Sequence, residues 1–336
     1  MRRRNFIAGT AATAAMSFAQ PICAQIDSRS QGIKRIAFVH LTEKLEGMTA
    51  NGRYKPFFRE LNRLGYIEGR NLIVERYSAL GETERYGVTA RAAVASHPDL
   101  IISLGTLLAR LLMPLTATIP ILTTSADPVA SGLVTNLARP DGNITGINVD
   151  VGATLYGKRL QFLRETVGKL TNVRLLIPAS AIMYWEMVTA PRLRETGLPI
   201  TAAVLADKVV DREAYERVFD AMEAERVDGL VVADAPEHIT NREVIVDLAA
   251  RHRLPTIYPY REYVDVGGLA SYGTDTADLL RRLANMADQI LRGAKPGDIP
   301  FYQQTKFDLV LNRTTARSLG LEFPATLLAV ADEVIE

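Results

Sequence analysis

Short apolar segments alternate with helical patterns along almost the whole chain, and this alternation constrains the fold more than any other feature. Four apolar segments, each followed by a helical pattern, precede a turn cluster at residues 139–143, and the alternation then restarts. Alternation of this kind is typical of a parallel sheet with helices on both faces. The sequence therefore predicts an α/β protein with two similar lobes.

The boundaries of these elements follow from hydrophobic periodicity and from Gly, Pro and capping residues. The predicted strands are 34–39, 71–75, 99–103, 119–123, 144–149, 173–177, 200–205, 228–233, 255–258, 269–272 and 305–311. The predicted helices are 54–64, 83–96, 106–113, 129–138, 155–167, 183–195, 212–225, 242–253, 274–299 and 313–319. We place the first lobe at 33–148 plus 274–299, and the second lobe at 149–273 plus 300–336.

The N-terminus has the pattern of a bacterial export signal. Arg3 and Arg4 precede an apolar, small-residue stretch at 8–19 that has no acidic side chain. The paired arginines favour the twin-arginine route over an ordinary Sec signal. We predict that residues 1–24 are a cleaved signal peptide and that the mature protein is periplasmic. The stretch is too short for a membrane span, which needs about 20 apolar residues.

Composition excludes several classes of protein. Cys23 is the single cysteine and lies in or at the edge of the leader, so we expect no disulfide and no thiol nucleophile in the mature chain. The residues before Cys23 form a poor lipoprotein box, which makes a lipid anchor there the less favoured alternative. The formal charge of +1 becomes −2 without the three leader arginines, so we expect no nucleic-acid partner.

Motifs for a cofactor, a metal or catalysis are missing. Residues 40–47 read HLTEKLEG after the first strand, without the Gly-x-Gly-x-x-Gly fingerprint of dinucleotide binding. The chain has no Walker loop, no Gly-x-Ser-x-Gly elbow and no His-x-x-x-His pair. We therefore predict no cofactor, no metal and no catalytic residue.

Polar and small residues follow the predicted strands, where open α/β sheets bind their ligands. In the first lobe the candidate ligand contacts are Leu41, Thr42, Gly105, Thr106, Ser125 and Asp127. The Thr106 hydroxyl and the free N–H groups at its helix start could hold a carboxylate, or Thr106 caps the helix. Asp127 could pair with a ligand ammonium or cap the next helix. A lone histidine such as His40 is more often a hydrogen-bonded structural residue.

The second lobe supplies candidates of a different character. They are Ser180, Tyr184, Asp234, Tyr258 and Tyr272. Asp234 is the more attractive acidic candidate because it ends an apolar strand. The tyrosines, with Trp185 and Tyr260, indicate an aromatic wall to the cleft, although any one of them packs a lobe more often than it contacts a ligand.

Taken together, several stretches resemble the periplasmic substrate-binding proteins of ABC transporters, a family that includes tryptophan-binding TrpX-like proteins. They are FRELNRLGYIEGRN at 58–71, DPV at 127–129, SGLV at 131–134, LARPDGNITG at 137–146, GKRL at 157–160, GLASYG at 268–273, QTKF at 304–307 and ADEVIE at 331–336. One stretch departs from the family: residues 178–185 read PASAIMYW, where members show an Asn-Pro-x-Asn-like turn facing the cleft. The identity of the ligand is therefore not carried over.

The resemblance implies a type I periplasmic-binding-protein fold, in which two Rossmann-like lobes joined by a hinge close on a small solute. It implies no catalysis and a monomer that delivers its solute to an ABC permease in the inner membrane. We lean towards an amino acid with an aromatic or branched side chain. Two alternatives stay open: a sensor that presents its solute to a membrane receptor kinase, and an exported enzyme on a Rossmann-like scaffold.

Overall fold

The computed structural model describes residues 32–149, 153–194, 197, 200–206 and 210–336. The predicted signal peptide lies outside the described residues. None of the described helices is both long enough and apolar enough to cross a bilayer.

Within the described residues, thirteen strands make up the two sheets. They are β1 (Lys34–His40), β2 (Leu72–Ser78), β3 (Leu100–Leu104), β4 (Ile121–Ser125), β5 (Ile144–Asn148), β6 (Val173–Pro178), β7 (Ile200–Leu205), β8 (Gly229–Val232), β9 (Thr256–Tyr258), β10 (Ala270–Gly273), β11 (Tyr302–Gln303), β12 (Asp308–Asn312) and β13 (Glu333–Ile335).

Helices connect most of these strands. They are α1 (Lys55–Arg63), α2 (Tyr86–Ala95), α3 (Thr106–Leu112), α4 (Ala153–Val167), α5 (Ala179–Tyr184), α6 (Ala190–Arg194), α7 (Arg212–Ala224), α8 (Pro236–Thr240), α9 (Arg242–Arg251), α10 (Arg261–Asp265), α11 (Thr276–Leu291), α12 (Arg313–Leu319) and α13 (Ala325–Val330). A π-helical turn, Trp185–Thr189, joins α5 to α6, and short 3₁₀ turns lie at Thr83–Arg85, Met113–Leu115 and Pro296–Asp298.

The first sheet has six strands in the order β11-β5-β4-β3-β1-β2, all of them parallel. The second has seven in the order β13-β12-β10-β9-β8-β6-β7, parallel except for the antiparallel pair of β10 with β12. Central strands such as β3 and β8 are buried along their whole length, as expected where helices cover both faces of a parallel sheet. The predicted fold class is confirmed. We call each sheet with its helices a lobe.

Helix α11 returns the chain to the first lobe. It packs against α1, and Asn285 Nδ2 donates a hydrogen bond of 2.9 Å to Glu60 Oε1. Its start is stabilised by Asp275, whose Oδ1 accepts from the backbone N–H groups of Ala277 and Asp278. The sequence division assigns residues 300–336 to the second lobe, yet β11 in that range pairs with β5 in the first sheet.

One predicted element is wrong. Residues 129–138 form turns instead of a short helix. Asp127 Oδ1 accepts from the N–H groups of Val129 and Ala130, as a cap would, but Gly132 then adopts φ +72° and the chain turns away. A left-handed residue ends a helix before it can propagate.

Candidate functional site

A cavity of about 500 Å³ lies between the two lobes, at the carboxyl ends of both sheets. Its first-lobe wall comes from the ends of β1, β3 and β4, and its second-lobe wall comes from the ends of β6 and β8. Parallel strands place their C-terminal loops at one edge of a sheet, where ligands of open α/β folds bind. The topology therefore brings sequence-distant loops to one site.

The first-lobe wall carries a pair of hydroxyls. Thr106 Oγ1 lies 2.9 Å from Ser125 Oγ, and both residues line the cavity. Each hydroxyl can both donate and accept, so the pair can turn a donor towards a ligand oxygen. Gly105, which directly precedes Thr106 in the sequence, has a φ of +105°. A Cβ atom on Gly105 would lie 3.0 Å from Pro236 Cγ. Only glycine fits that backbone shape so close to the second lobe.

His40 shapes the loop after β1. Its Nδ1 accepts hydrogen bonds from the backbone N–H groups of Thr42, at 3.1 Å, and Glu43, at 2.8 Å. Burial, aided by the charge of Arg53, lowers the pKa of His40 to about 3. The ring is therefore neutral at physiological pH and acts as an acceptor that fixes the loop. Its geometry agrees with the structural role expected of a lone histidine.

Arg53 brings a cation to the same wall. Its side chain is 23% exposed, and its Nη1 lies 3.7 Å from Glu43 Oε2. That nitrogen has no hydrogen-bond partner among the described residues. The guanidinium also lies over the Tyr54 ring, 5.4 Å from its centroid. A buried donor without a partner gains most from an anionic ligand oxygen.

Asp234 on the opposite wall is already paired. Arg159 from α4 is fully buried, and its Nη1 and Nη2 lie 2.5 and 3.2 Å from the two carboxylate oxygens of Asp234. Arg159 Nε donates to the Tyr272 carbonyl at 2.8 Å. This bidentate arrangement neutralises the Asp234 carboxylate inside the second lobe.

Glu237 is the second acidic residue on that wall and is 3% exposed. It follows Pro236 in α8, directly after the end of β8. Burial raises the pKa of its carboxyl group. No cation pairs with it in the part of the chain that the structure describes.

The rest of the lining is mainly apolar. Tyr156 and Trp185 meet edge to face with ring centroids 5.5 Å apart, and both line the cavity. Met183 and Met187 also line it, and Met187 is 73% exposed. Methionine side chains adapt to varied apolar shapes. The cavity thus offers polar groups near the strand ends and an adaptable apolar, aromatic wall beside them.

Comparison with known sequences decides the family. Residues 39–335 match the family described as ABC transporter substrate binding protein. The chain belongs to this family. The resemblance identified from the sequence motifs is thereby confirmed, and the family is one of solute-binding proteins.

Relatives of this substrate-binding protein share its length as well as its fold. A tyrosine-binding protein of Clostridioides difficile strain R20291 is 21% identical over 297 residues, which are 88% of this chain and 84% of that protein. A conserved domain protein of Vibrio cholerae is 24% identical with a TM-score of 0.78, covering 90% of this chain and 99% of that one. An ABC domain from Streptococcus pneumonia in complex with L-Trp is 22% identical with a TM-score of 0.76, again covering 90% and 99%.

Most of the predicted contact residues of this substrate-binding protein reach the cavity. Those that line it are Leu41, Gly105, Thr106, Ser125, Asp127 and Asp234. Thr42 lies beside it, where its Oγ1 donates to the Pro236 carbonyl at 3.3 Å and lies 3.0 Å from Thr240 Oγ1. Thr42 therefore joins the two lobes directly.

Two predicted tyrosines lie elsewhere. Tyr258 is buried and stacks on Tyr263 with centroids 4.9 Å apart. Tyr272 packs against the Phe162 and Phe307 rings. Both rings pack the lobe instead of lining the cavity, because side chains alternate between the two faces of a strand. Ser180 and Tyr184 belong to α5, and their side chains lie outside the described residues.

Sequence reasoning missed two charged residues of the site. Arg53 lies in the long loop between β1 and α1, where the strand-end rule gives no signal. Glu237 lies only three residues beyond Asp234, so extending the strand end to the next helix would have found it.

A possible cation cluster lies away from this cavity. Asp220, Glu223 and His252 bring one ligand atom each to within 4.8 Å of one another. His252 Nδ1 lies 2.8 Å from Glu223 Oε2, so a hydrogen bond accounts for the contact. Both acids are exposed, as solvated surface groups often are.

Proposed function

We propose that this substrate-binding protein binds a small solute, an amino acid with an aromatic or branched side chain, in the inter-lobe cavity and delivers it to an ABC permease. The observation that carries the proposal is that the cavity lining contains both hydrogen-bond donors and an apolar, aromatic surface. Thr106, Ser125 and Arg53 line the cavity with donors that can meet a carboxylate, and Tyr156 and Trp185 belong to its apolar lining. Ligand pockets combine apolar surface with a few well-placed polar groups in this way.

The relatives support the same class of solute. One is a tyrosine-binding protein and another has L-Trp bound. The Met183 and Met187 side chains fit an apolar solute group without demanding one shape. The residues that we propose as ligand contacts are Leu41, Gly105, Thr106, Ser125, Asp127 and Asp234, with Ser180 and Tyr184 on the facing helix.

Export and closure complete the proposal. We infer that the twin-arginine leader at 1–24 directs the protein to the periplasm, where the cleaved chain acts as a monomer. The first lobe (33–148, 274–299 and β11) and the second lobe (the rest of 149–336) would close by hinge motion around the solute. A permease would then recognise the closed form.

A thermal-shift screen followed by isothermal titration tests the proposal. The panel contains the twenty L-amino acids, small carboxylates, sugars and nucleosides. A ligand that binds only the folded state at about 100 times its Kd stabilises the protein by roughly 2.7 kcal/mol. We expect a clear rise in melting temperature with an aromatic or branched amino acid. A shift with sugars or nucleosides and none with amino acids would refute the proposal.

A further inference from the structure

Glu237 is the acidic residue of the cavity lining that has no positive partner among the described residues. The other two acids of the lining are engaged. Asp234 pairs with Arg159, and Asp127 Oδ1 accepts from the N–H groups of Val129 and Ala130. A buried carboxylate is costly unless a cation or several donors compensate it. A cation bound in the cavity would supply the positive partner that Glu237 lacks among the described residues.

We propose that Glu237 receives the ammonium group of the solute, which restricts the solutes to free α-amino acids. This inference rests on the proposed function and adds the chemical group that the site selects. Deaminated carboxylates of the same shape would be rejected, because they would leave the buried Glu237 carboxylate without a positively charged partner.

The position of Glu237 suits an α-ammonium group. A Cβ on Gly105 would lie 3.0 Å from Pro236 Cγ, so these two residues are in close contact across the lobes. Thr106 and Glu237 each follow one member of that pair. In an α-amino acid the carboxylate and the ammonium stand on the same carbon, so their protein partners have to come from neighbouring segments. Thr106 and Glu237 meet this requirement.

The surroundings of Glu237 contain phenols instead of cations. Burial raises the pKa values of Tyr86 in α2 and Tyr215 in α7, and the Glu237 charge raises both further. These two tyrosines belong to different lobes, so Glu237 lies where the lobes meet. The ammonium group of an amino acid bound there would meet the Glu237 carboxylate of the second lobe. The carboxylate of the same amino acid would meet Thr106 of the first lobe.

The test compares amino acids with their deaminated analogues. The four probe pairs are L-tyrosine with 3-(4-hydroxyphenyl)propanoate, L-tryptophan with 3-(indol-3-yl)propanoate, L-phenylalanine with 3-phenylpropanoate, and L-leucine with 4-methylpentanoate. Isothermal titration at pH 7.5 is run on the wild type, Glu237→Gln, Asp127→Asn and Glu243→Gln. Glu243 is a matched control because it is exposed on the neighbouring helix α9.

We expect the wild type and Glu243→Gln to bind an amino acid and to reject its analogue. Glu237→Gln should lose roughly 10- to 100-fold in affinity for that amino acid, the scale of a charge-assisted hydrogen bond, and no longer discriminate against the analogue.

Folding is checked by thermal melting without ligand. Burial raises the pKa of Glu237, so its contribution to stability falls as pH rises. Glu237→Gln should therefore melt at an equal or higher temperature at pH 7.5.

Three outcomes would overturn the inference. Equal amino-acid affinity in Glu237→Gln and the wild type overturns the inference alone and leaves the proposed function standing. Loss of affinity in Asp127→Asn with none in Glu237→Gln assigns the ammonium to Asp127 instead. A wild type that binds none of the eight probes, while a sugar or nucleoside does bind, overturns the proposed function as well.

Discussion

Replacing Asp234 by Asn should destabilise the protein strongly, although Asp234 lines the cavity and its loss would ordinarily be assigned to ligand binding. The reason is Arg159, which is fully buried and held by both carboxylate oxygens. The variant removes the negative charge and leaves the guanidinium inside the second lobe. Uncompensated buried charge is among the most destabilising changes a protein can suffer.

The loss in the free energy of unfolding can be estimated from the contacts that Arg159 keeps in the variant. Removing one partner of a buried ion pair costs about 3–5 kcal/mol. Arg159 would keep the hydrogen bond from Nε to the Tyr272 carbonyl and its position 5.4 Å from the Tyr156 ring centroid. Those contacts favour the lower end, about 3 kcal/mol. The double variant Arg159→Met with Asp234→Asn has no unbalanced charge and should lie within about 2 kcal/mol of the wild type.

The assay is urea unfolding followed by tryptophan fluorescence. Trp185 is the single tryptophan of the chain and is buried beside the cavity, so its emission reports loss of the second-lobe core. A double-mutant cycle then gives the coupling energy between the two side chains. A loss below about 1 kcal/mol in Asp234→Asn, or a double variant that equals the sum of the single ones, would refute the reasoning.

Three further predictions concern the stability of variants, measured by thermal or urea unfolding. Gly105→Ala should lose about 1–3 kcal/mol, because φ is +105° and the new Cβ would lie 3.0 Å from Pro236 Cγ; an unchanged melting temperature would contradict this. Burial lowers the pKa of His238 to about 3, so its contribution to stability is present above the unfolded pKa of about 6.5 and falls by about 1.4 kcal/mol per pH unit below it. His238→Asn should flatten that dependence between pH 7.5 and 5, and an equally steep loss would count against it. Trp185→Ala should cost about 3–5 kcal/mol, whereas Met187→Ala, which is 73% exposed at the start, should cost under about 0.5 kcal/mol; similar losses in both would contradict the packing.

Periodicity predicted the order of strands and helices well, because buried parallel strands appear as continuous apolar runs. Strand β3 and helix α11 show why: one is buried throughout and the other carries a single apolar stripe. The failure at 129–138 came from giving apolar residues more weight than Gly132, whose positive φ ends the turn. The short helices α8 and α10 span five residues each, too few for a periodic signal.

The candidate site was predictable where it depends on the ends of strands. That rule placed Gly105, Thr106 and Ser125 on the cavity. It could not decide the state of Asp234, whose partner Arg159 is 75 residues away in sequence. Nor could the rule decide whether Tyr258 lines the cavity or packs inside the lobe on Tyr263, because the face towards which a strand residue points depends on the register of its strand. The ion pairing of a charged side chain and the face of the sheet on which a residue lies depend on tertiary structure, so the sequence alone does not determine them.

The contacts between the lobes indicate how a solute would control closure. Around the cavity, hydrogen bonds of the Thr42 hydroxyl with the Pro236 carbonyl and Thr240 join the two lobes. Neutral hydrogen bonds contribute about 1 kcal/mol each, so these two contacts alone would hold the lobes together weakly. In the proposed mode of binding, an amino acid that met Thr106 on one lobe and Glu237 on the other would add charge-assisted bonds that form only when the lobes approach. A ligand shifts an equilibrium only by its difference in affinity for the two forms. Glu237 would therefore couple recognition of the ammonium to closure, and a carboxylate lacking that group would bind one lobe without closing the protein.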